Sequence, residues 1–270
     1  IYLQNNCKRF PMKNSTPLNS QALSPSTDRC LAILEVLSRH QGGLTLSEIH
    51  RALGISKNMV FRILRDMASR GYVERGDDKA YFLGGKLLEL SVPRVRERNL
   101  VDEAAPIIRA LRDECRESVG LVVPSGAEGV LIYFQPALNP MRMIFDPGFR
   151  LNLYCNAPGK VFLAFGDEKD RRERMRQQSF ARRTATTITD PARLEMELQQ
   201  AREDGYTRDR AEDLAGAHCV AAPVFDGDDR LVAAVVIAGV SHRMPEEAFC
   251  HYGQQVAAAA ARLTARLSAP

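Results

Sequence analysis

Polar side chains recur at helical spacing along a short segment near residue 60. If Val60 marks the buried side of a helix, Asn58, Arg62 and Arg65 fall on the opposite side. Lys57 stands at the N-terminus of the same helix. A carboxamide hydrogen-bonds the edge of adenine, and a guanidinium hydrogen-bonds the edge of guanine or a phosphate. This pattern therefore favours contact with the major groove of double-stranded DNA.

Three neighbouring residues extend the predicted contact. Phe61 lies on the flank of the helix, where it either meets a thymine methyl group or packs against the protein. Arg75 and Lys79 lie in a predicted hairpin, where positive side chains can hold phosphates. The alternative is that these basic residues belong to an ordinary solvated surface. The elements around them decide between the two interpretations.

Those elements are typical of a winged helix-turn-helix domain. Residues 45–48 match a capping box, in which a threonine and a glutamate satisfy free amides at a helix start. Gly54 ends that helix, Ser56 is predicted to cap the next one, and Gly71 ends it. A hairpin over residues 72–83 follows, with Gly76 at its turn. We therefore predict a winged helix-turn-helix domain over residues 27–85, beginning with a helix capped by Thr27 or Asp28.

The spacing of the candidate residues argues against a phosphate-binding loop, a thiol nucleophile and a zinc site. Gly159 and Lys160 resemble part of a phosphate-binding loop, but Tyr154 stands where that loop needs glycine. Cys219 next to His218 suggests a thiol nucleophile, yet neighbours in a strand point to opposite faces. The histidines are isolated and the six cysteines have no close pair, which disfavours zinc. We predict no catalytic residue, metal or cofactor. The arginine-rich run over residues 171–183 is predicted to be a solvated face.

The remaining segments divide the chain. Residues 1–26 are polar, without apolar periodicity, and are predicted to be a disordered arm. Residues 86–100 predict a linker helix that Pro93 ends or kinks. Residues 101–268 intermix helices with paired strands, which predicts an α+β domain. The predicted strands are 119–123, 129–134, 141–145, 219–225 and 231–237, and the predicted helices are 107–115, 158–165, 191–204 and 246–267.

Composition sets broader limits. The chain has 270 residues, which favours two domains at about 150 residues each. Its 45% hydrophobic and 26% charged residues exclude a mostly disordered or collagen-like chain. No apolar run approaches the ~18–20 residues of a membrane span. The first residues lack a basic region followed by an apolar stretch, so we do not expect a secretory signal. The net charge of +4 permits nucleic-acid binding without arguing for it. We expect a soluble, cytoplasmic protein with no membrane contact.

Several short strings give the sequence a family resemblance. It resembles the IclR family of bacterial transcriptional regulators over nearly all of residues 28–267, and the joint order of the strings is more specific than any one of them. The strings are Leu46-Ser47-Glu48-Ile49, Leu53-Gly54-Ile55-Ser56-Lys57, Arg62-Ile63-Leu64, Arg70-Gly71-Tyr72-Val73-Glu74-Arg75, Tyr81-Phe82-Leu83-Gly84, Asn156-Ala157-Pro158-Gly159-Lys160, Asp204-Gly205-Tyr206, and Cys219-Val220-Ala221-Ala222-Pro223-Val224-Phe225-Asp226.

The resemblance implies a winged helix-turn-helix domain joined by a linker helix to a GAF-like effector-binding domain. It also implies a homodimer or homotetramer that binds a palindromic operator, as two-fold symmetry favours. In that family the second domain binds small organic acids or aromatic metabolites. The hypothesis is a regulator whose operator affinity responds to a small organic acid. Whether it represses or activates stays open.

The resemblance also implies which residues meet the effector. They are Asn156, Ala157, Pro158, Asp209, Cys219, Val236 and Ala238. The segment from Asn156 resembles the start of a helix that presents amides, and such a start favours a carboxylate. A surface ion pair with the flanking arginines is the alternative for Asp209. Val236 and Ala238 stand where several relatives carry serines, so an aromatic or longer acid is favoured over a very small keto acid.

Two alternative functions stay open at this point. In one, the C-terminal domain serves oligomerisation without a ligand, and a pocket filled by the protein's own side chains would favour it. In the other, the protein is an enzyme tethered to DNA, with turnover that depends on the thiol of Cys219.

Overall fold

The computed structural model of the protein describes residues 25–40, 42–91, 94–95 and 98–269. Nearly all of the predicted N-terminal arm lies outside the described residues. The chain divides into two compact units, with the boundary between residues 92 and 93. Within the described part of the chain, no helix has both the length and the apolar composition that crossing a membrane requires.

The N-terminal unit is a helix-turn-helix followed by a hairpin. Its elements are α1 (Pro25–Ser38), β1 (Leu44–Thr45), α2 (Leu46–Leu53), α3 (Lys57–Ala68), β2 (Val73–Arg75), β3 (Ala80–Leu83) and α4 (Lys86–Ser91). The three strands form an antiparallel sheet in the order β1-β3-β2. Its core contains Ile33, Ile49, Val60, Leu64 and Tyr81, so the apolar stripes of all three long helices meet on one side.

The predicted start and stop signals of α2 are present. Thr45 Oγ1 accepts a hydrogen bond from Glu48 N–H at 3.4 Å, and Glu48 Oε2 accepts one from Thr45 N–H at 2.8 Å. Gly54 ends the helix in the left-handed region at φ 67°, which glycine adopts at little cost. Two details of the prediction are wrong. Ser56 occupies the N-cap of α3 but its side chain makes no capping hydrogen bond, and α1 begins at Pro25, since proline is tolerated in a first helical turn.

The capping box predicts a measurable contribution to stability. We expect Thr45→Ala to lower the free energy of unfolding by about 1 kcal/mol, because one helix amide loses its acceptor. Urea unfolding followed by circular dichroism measures the loss. Thr45→Ser keeps the hydroxyl and serves as the matched control. Equal transition midpoints for the alanine and serine variants would contradict the role assigned to this hydroxyl.

The C-terminal unit is built on one six-stranded sheet. Its elements are β4 (Arg94–Val95), β5 (Arg98–Asn99), α5 (Leu100–Cys115), β6 (Ser118–Ser125), β7 (Glu128–Gln135), β8 (Arg150–Asn152), α6 (Ala157–Ala164), α7 (Glu168–Arg176), α8 (Pro191–Asp204), β9 (Thr207–Arg210), β10 (Ala217–Phe225), β11 (Leu231–Val240), a 3₁₀ turn (Glu246–Ala248) and α9 (Phe249–Ser268). The large sheet has the order β8-β7-β6-β11-β10-β9, with every pair antiparallel. The α+β prediction is confirmed.

Alternate residues of the central strands pack on the two faces of this sheet. One face carries Leu121 and Val220 against α5 and α9. The other carries Val122, Ala221 and Val236 against α6. Because side chains of a strand alternate between faces, one strand serves both cores. The second face is the one that forms the cavity described below.

Two sequence-based predictions for the linker and the C-terminal unit are wrong, and a third is incomplete. The linker helix is shorter than residues 86–100: α4 ends at Ser91, two residues before Pro93, and the described residues 94–95 and 98–99 pair as strands instead. The strand predicted at 141–145 is irregular, since Ser118 Oγ donates to Met143 O at 3.0 Å in place of a strand partner. The charged run predicted as a solvated face contains helix α7, which Asp167 caps and which has no buried residue, so that prediction agrees with the structure but missed the helix.

Candidate functional site

Helix α3 presents its polar side chains to solvent. Val60, Ile63 and Leu64 are buried beneath it, whereas Lys57, Asn58, Phe61, Arg62 and Arg65 are all exposed. Phe61 is 50% exposed, which favours an intermolecular contact over packing within the unit. Arg65 pairs with its neighbour Asp66 at 3.0 Å, but such an exposed pair is weak enough to give way to a phosphate or a base.

The hairpin of β2 and β3 adds two exposed cations. The Arg75 guanidinium lies 5.6 Å from the centre of the Tyr81 ring, which orients it along the hairpin. Lys79 lies in the turn with a positive φ of 66°. Asp78 Oδ1 accepts from Ala80 N–H at 3.0 Å and so stabilises the turn. The structure places both predicted phosphate contacts on the exposed surface of the wing.

An apolar cavity opens on the second sheet face of the C-terminal unit. It has a volume of about 70 Å³. Three phenylalanines form one wall: Phe134 and Phe145 meet edge-on with ring centres 5.8 Å apart, and Phe145 and Phe149 are 4.9 Å apart. Phe145 and Phe149 come from the irregular segment 136–149. Aromatic pairs of this kind favour a flat ring as their occupant.

Strand register brings the predicted pocket residues together. Asp209 lies directly opposite Cys219 on β10, and Cys219 lies directly opposite Ala238 on β11. Residues opposite one another on neighbouring strands share a face, so the three form one row across the sheet. Of the seven residues predicted for the effector, six line the cavity: Asn156, Pro158, Asp209, Cys219, Val236 and Ala238.

Ala157 is the exception. It is buried outside the cavity lining, and its carbonyl accepts from Thr207 Oγ1 at 2.7 Å. Asn156 caps α6 as predicted, because its Oδ1 accepts from Gly159 N–H at 2.8 Å and its Nδ2 donates to Asn152 O. Since Pro158 has no N–H, the start of α6 offers fewer free amides to a carboxylate than expected.

Asp209 is a buried acid rather than part of a surface ion pair. It is 2% exposed, and its Oδ1 accepts from Glu212 N–H at 2.7 Å. The two flanking arginines pair elsewhere: Arg208 with Asp204 at 2.6 Å and Arg210 with Glu197 at 2.8 Å. Burial raises the pKa of Asp209 to about 8, although Lys160 acts in the opposite direction. The ion-pair alternative is therefore wrong.

A buried lysine lies beneath the cavity. The Lys160 side chain is fully buried, and its Nζ donates to Glu212 Oε1 at 2.6 Å and to Arg208 O at 2.9 Å. Glu197 stands 3.6 Å from the same nitrogen. Burial raises the pKa of Glu212, and the Lys160 ammonium opposes the shift. The sequence-based predictions missed this cluster, although a lysine in the otherwise apolar stretch of α6 was a usable signal.

The thiols of the cavity region lie in surroundings that favour their protonated form. Burial raises the pKa of Cys219 and of Cys155, and nearby carboxylates add to both shifts. Both thiols therefore stay protonated at neutral pH, and Cys155 Sγ lies 3.6 Å from Asp213 Oδ1. Among the described residues, no group of three His, Cys, Asp or Glu side chains is placed to hold a metal ion.

A larger cleft of about 590 Å³ is lined in part by Glu197 and Glu212, the two carboxylates next to the buried lysine. Part of its charged lining is compensated within the protein, since Arg210 pairs with both Glu197 and Glu246. A ligand there must compete with these ion pairs and with water. The apolar cavity is therefore the better candidate for a small molecule.

Comparisons with known proteins agree with this architecture. The family model of the IclR helix-turn-helix domain matches residues 26–77. The model described as bacterial transcriptional regulator IclR, C-terminal, matches residues 93–265. The HTH-type transcriptional regulator BhcR of Paracoccus denitrificans is 31% identical over 238 residues, covering 88% of this chain and 85% of that protein.

Solved structures give the same result for the fold. The IclR protein of Thermotoga maritima is 30% identical, with a TM-score of 0.72, and covers 90% of this chain and 99% of its own. An IclR homologue of Microbacterium hydrocarbonoxydans, solved with 4-hydroxybenzoate, has a TM-score of 0.79 at 22% identity, covering 91% of this chain and all of its own.

Proposed function

This chain belongs to the IclR family of bacterial transcriptional regulators. We propose that it binds a specific operator and that an aromatic carboxylic acid changes its affinity for that operator. The chain is a transcriptional regulator with a DNA-binding helix-turn-helix domain. In our proposal it binds a palindromic operator in the cytoplasm as a homodimer or homotetramer, and it is not an enzyme.

The exposed side of α3 supports the DNA half of the proposal. Asn58, Arg62 and Arg65 project from a helix whose other side is fixed in the core, so their positions are held by buried Val60 and Leu64. In this arrangement α3 lies in the major groove, with Lys57 and Phe61 reaching the same surface. Arg75 and Lys79 of the wing contact phosphates and set the orientation of the domain.

Substitution of Arg62 tests this assignment. We expect Arg62→Ala to weaken binding to the operator by about 1–3 kcal/mol, or roughly 5- to 150-fold, because a side chain that reads a base edge is lost. Binding to a random duplex should fall much less. Fluorescence anisotropy of labelled DNA from upstream of the protein's own gene measures both affinities.

Arg172 provides the control for the Arg62 substitution. It is an exposed arginine of α7, and Arg172→Ala removes the same charge from the C-terminal unit. This variant should leave operator and random binding close to wild type. If Arg62→Ala lowers the affinity for the operator and for the random duplex equally, Arg62 contacts a phosphate and does not read a base.

The lining of the cavity supports the effector half. Its phenylalanine wall and the two apolar residues Val236 and Ala238 suit an aromatic ring. The Microbacterium homologue was solved with 4-hydroxybenzoate, which makes that compound a natural first probe. The acid must bind the DNA-competent and incompetent forms unequally, and a coupling of ~1–3 kcal/mol changes operator affinity roughly 5- to 150-fold.

One observation favours a second candidate for the C-terminal domain. The cavity is only about 70 Å³, and Met143 and three phenylalanines are among the side chains that line it. In the alternative, the domain serves oligomerisation without a ligand. Absence of binding by every acid in a panel, together with a stable oligomer, would favour this alternative.

A further inference from the structure

The cavity carries acidic groups at its polar end and no compensating cation in its wall. Asp209, Asp213 and Asn156 are its main polar lining groups, and among the described lining residues there is no lysine, arginine or histidine. A carboxylate ligand that enters therefore approaches two carboxyl groups in an apolar surrounding. Like charges in such a place repel strongly unless one of them takes up a proton.

The charges around Asp209 leave it without an ion-pair partner. Lys160 gives its hydrogen bonds to Glu212 and to a backbone carbonyl, and Arg183 forms an ion pair with Asp213. In the described part of the chain, no basic side chain forms an ion pair with Asp209, which accepts a hydrogen bond from the Glu212 backbone. The two cations next to this cluster, Lys160 and Arg183, are thus already paired with other carboxylates.

The other titratable groups that face Asp209 do not change this balance. Cys219 lies directly opposite Asp209 on β10, and Cys155 immediately precedes Asn156, the N-cap of α6. The charge of an ionised Asp209 raises the pKa of both thiols. Both thiols are neutral at physiological pH, because burial raises the pKa of each. A buried carboxyl that forms no ion pair is stabilised in its protonated form.

We propose that Asp209 sets the specificity of the cavity by admitting a carboxylate ligand only with one proton shared between the ligand's carboxyl group and its own. In this complex the protonated Asp209 donates a hydrogen bond to the ligand carboxylate, a short and charge-assisted contact. The inference rests on the proposed function, since it concerns the same cavity and the same class of acid.

Proton sharing fixes how affinity depends on pH. Burial raises the pKa of Asp209 to about 8, so below that pH the carboxyl already holds its proton and affinity is constant. Above that pH, the fraction of molecules with a protonated Asp209 falls about tenfold per pH unit, and the dissociation constant therefore rises about tenfold. The ligand itself stays ionised, because carboxylic acids titrate near pH 4.

Calorimetric titration with benzoate and 4-hydroxybenzoate tests the proposal between pH 6 and 9.5, and benzoate has no second titrating group. For the wild type, the dissociation constant should be flat to about pH 8 and rise about tenfold per unit above it. Above pH 8, buffers of different ionisation enthalpy should report uptake of close to one proton per ligand. Asp209→Asn, which keeps an acceptor for Glu212 N–H, should bind with no pH dependence over this range.

Asp213→Asn is the matched control, because Asp213 lines the same cavity but is neutralised by Arg183. It should keep the tenfold rise per pH unit, with the onset shifted to lower pH, because the Asp213 charge contributes to the raised pKa of Asp209. A flat profile for the wild type, or affinity that rises with pH, would overturn the inference while leaving the proposed function in place. Failure of every acid to bind at any pH contradicts the proposed function itself. If Asp209→Asn does not fold, the proton uptake of the wild type alone decides.

Discussion

Replacing Lys160 with methionine should lower the free energy of unfolding of the C-terminal unit by about 3–5 kcal/mol. The Lys160 ammonium is fully buried and donates to Glu212 Oε1 at 2.6 Å. Glu212 is itself 1% exposed, so removal of the lysine leaves a buried carboxyl without its cation. The carboxyl must then either bear the cost of desolvation or bind a proton.

Urea unfolding at pH 7, followed by circular dichroism, measures this loss. Lys169→Met removes an exposed lysine of α7 and should change the stability by less than about 0.5 kcal/mol. The double variant Lys160→Met with Glu212→Gln should recover part of the loss, because the orphaned charge is gone. A loss below about 1 kcal/mol for Lys160→Met would contradict the buried ion pair described here.

Asp209→Asn should gain stability over the wild type as the pH rises. The pKa of Asp209 is about 8 in the folded protein against 3.8 for the free side chain, so the folded state holds a proton that the unfolded state has lost between these values. The proton stabilises the fold fully below about pH 4, and this contribution is lost progressively as the pH approaches 8. The slope is about 1.4 kcal/mol per pH unit, which amounts to several kcal/mol over the range.

The comparison of wild type and variant isolates this one carboxyl group. Urea unfolding of wild type and Asp209→Asn at pH 5, 6, 7 and 8 should give stability curves that diverge, with the variant favoured at the alkaline end. The carboxamide that this substitution introduces keeps an oxygen that can accept from Glu212 N–H, so the fold is maintained. Parallel curves, or a variant favoured at the acidic end, would show that Asp209 is ionised in the folded protein.

The DNA-binding unit was predictable because its signals are local. The capping box at Thr45 and Glu48 lies within one helical turn, and Gly54 ends the helix a few residues later. The apolar stripe of α3 likewise gave the exposed side of that helix directly. Local signals of this kind need no knowledge of distant neighbours, so the sequence alone predicts that the side chains of Lys57, Asn58, Phe61, Arg62 and Arg65 are exposed.

The cavity was only partly predictable. The row of Asp209, Cys219 and Ala238 depends on the pairing of three strands, which the sequence supplied only through family resemblance. Strand β9 is only four residues long and three of its residues are charged, so no local sequence pattern indicates that Asp209 is buried. Lys160 meets Glu212 only because α6 packs against β9, a contact between segments far apart in the chain.

Two further misses have the same origin. The irregular segment that carries Phe145 has a strand-like composition, but its backbone is held by the hydroxyl of Ser118. Helix α7 has almost no apolar residues to reveal its period, and ion pairs such as the one between Arg171 and Glu195 at 2.6 Å stabilise it. Side chains from other elements decide both structures.

The most direct test of acid-responsive operator binding is fluorescence anisotropy of labelled operator DNA. The DNA is titrated with the protein in the presence and absence of aromatic and aliphatic acids. We predict a site bound at least ~10³-fold tighter than a random duplex, and a roughly 5- to 150-fold change in that affinity with an aromatic acid. In Ala238→Phe, whose larger side chain fills the cavity, operator binding should persist and the response to the acid should be lost. Equal binding to both duplexes across a range of salt concentrations, or an acid response that survives in Ala238→Phe, would contradict the proposed function.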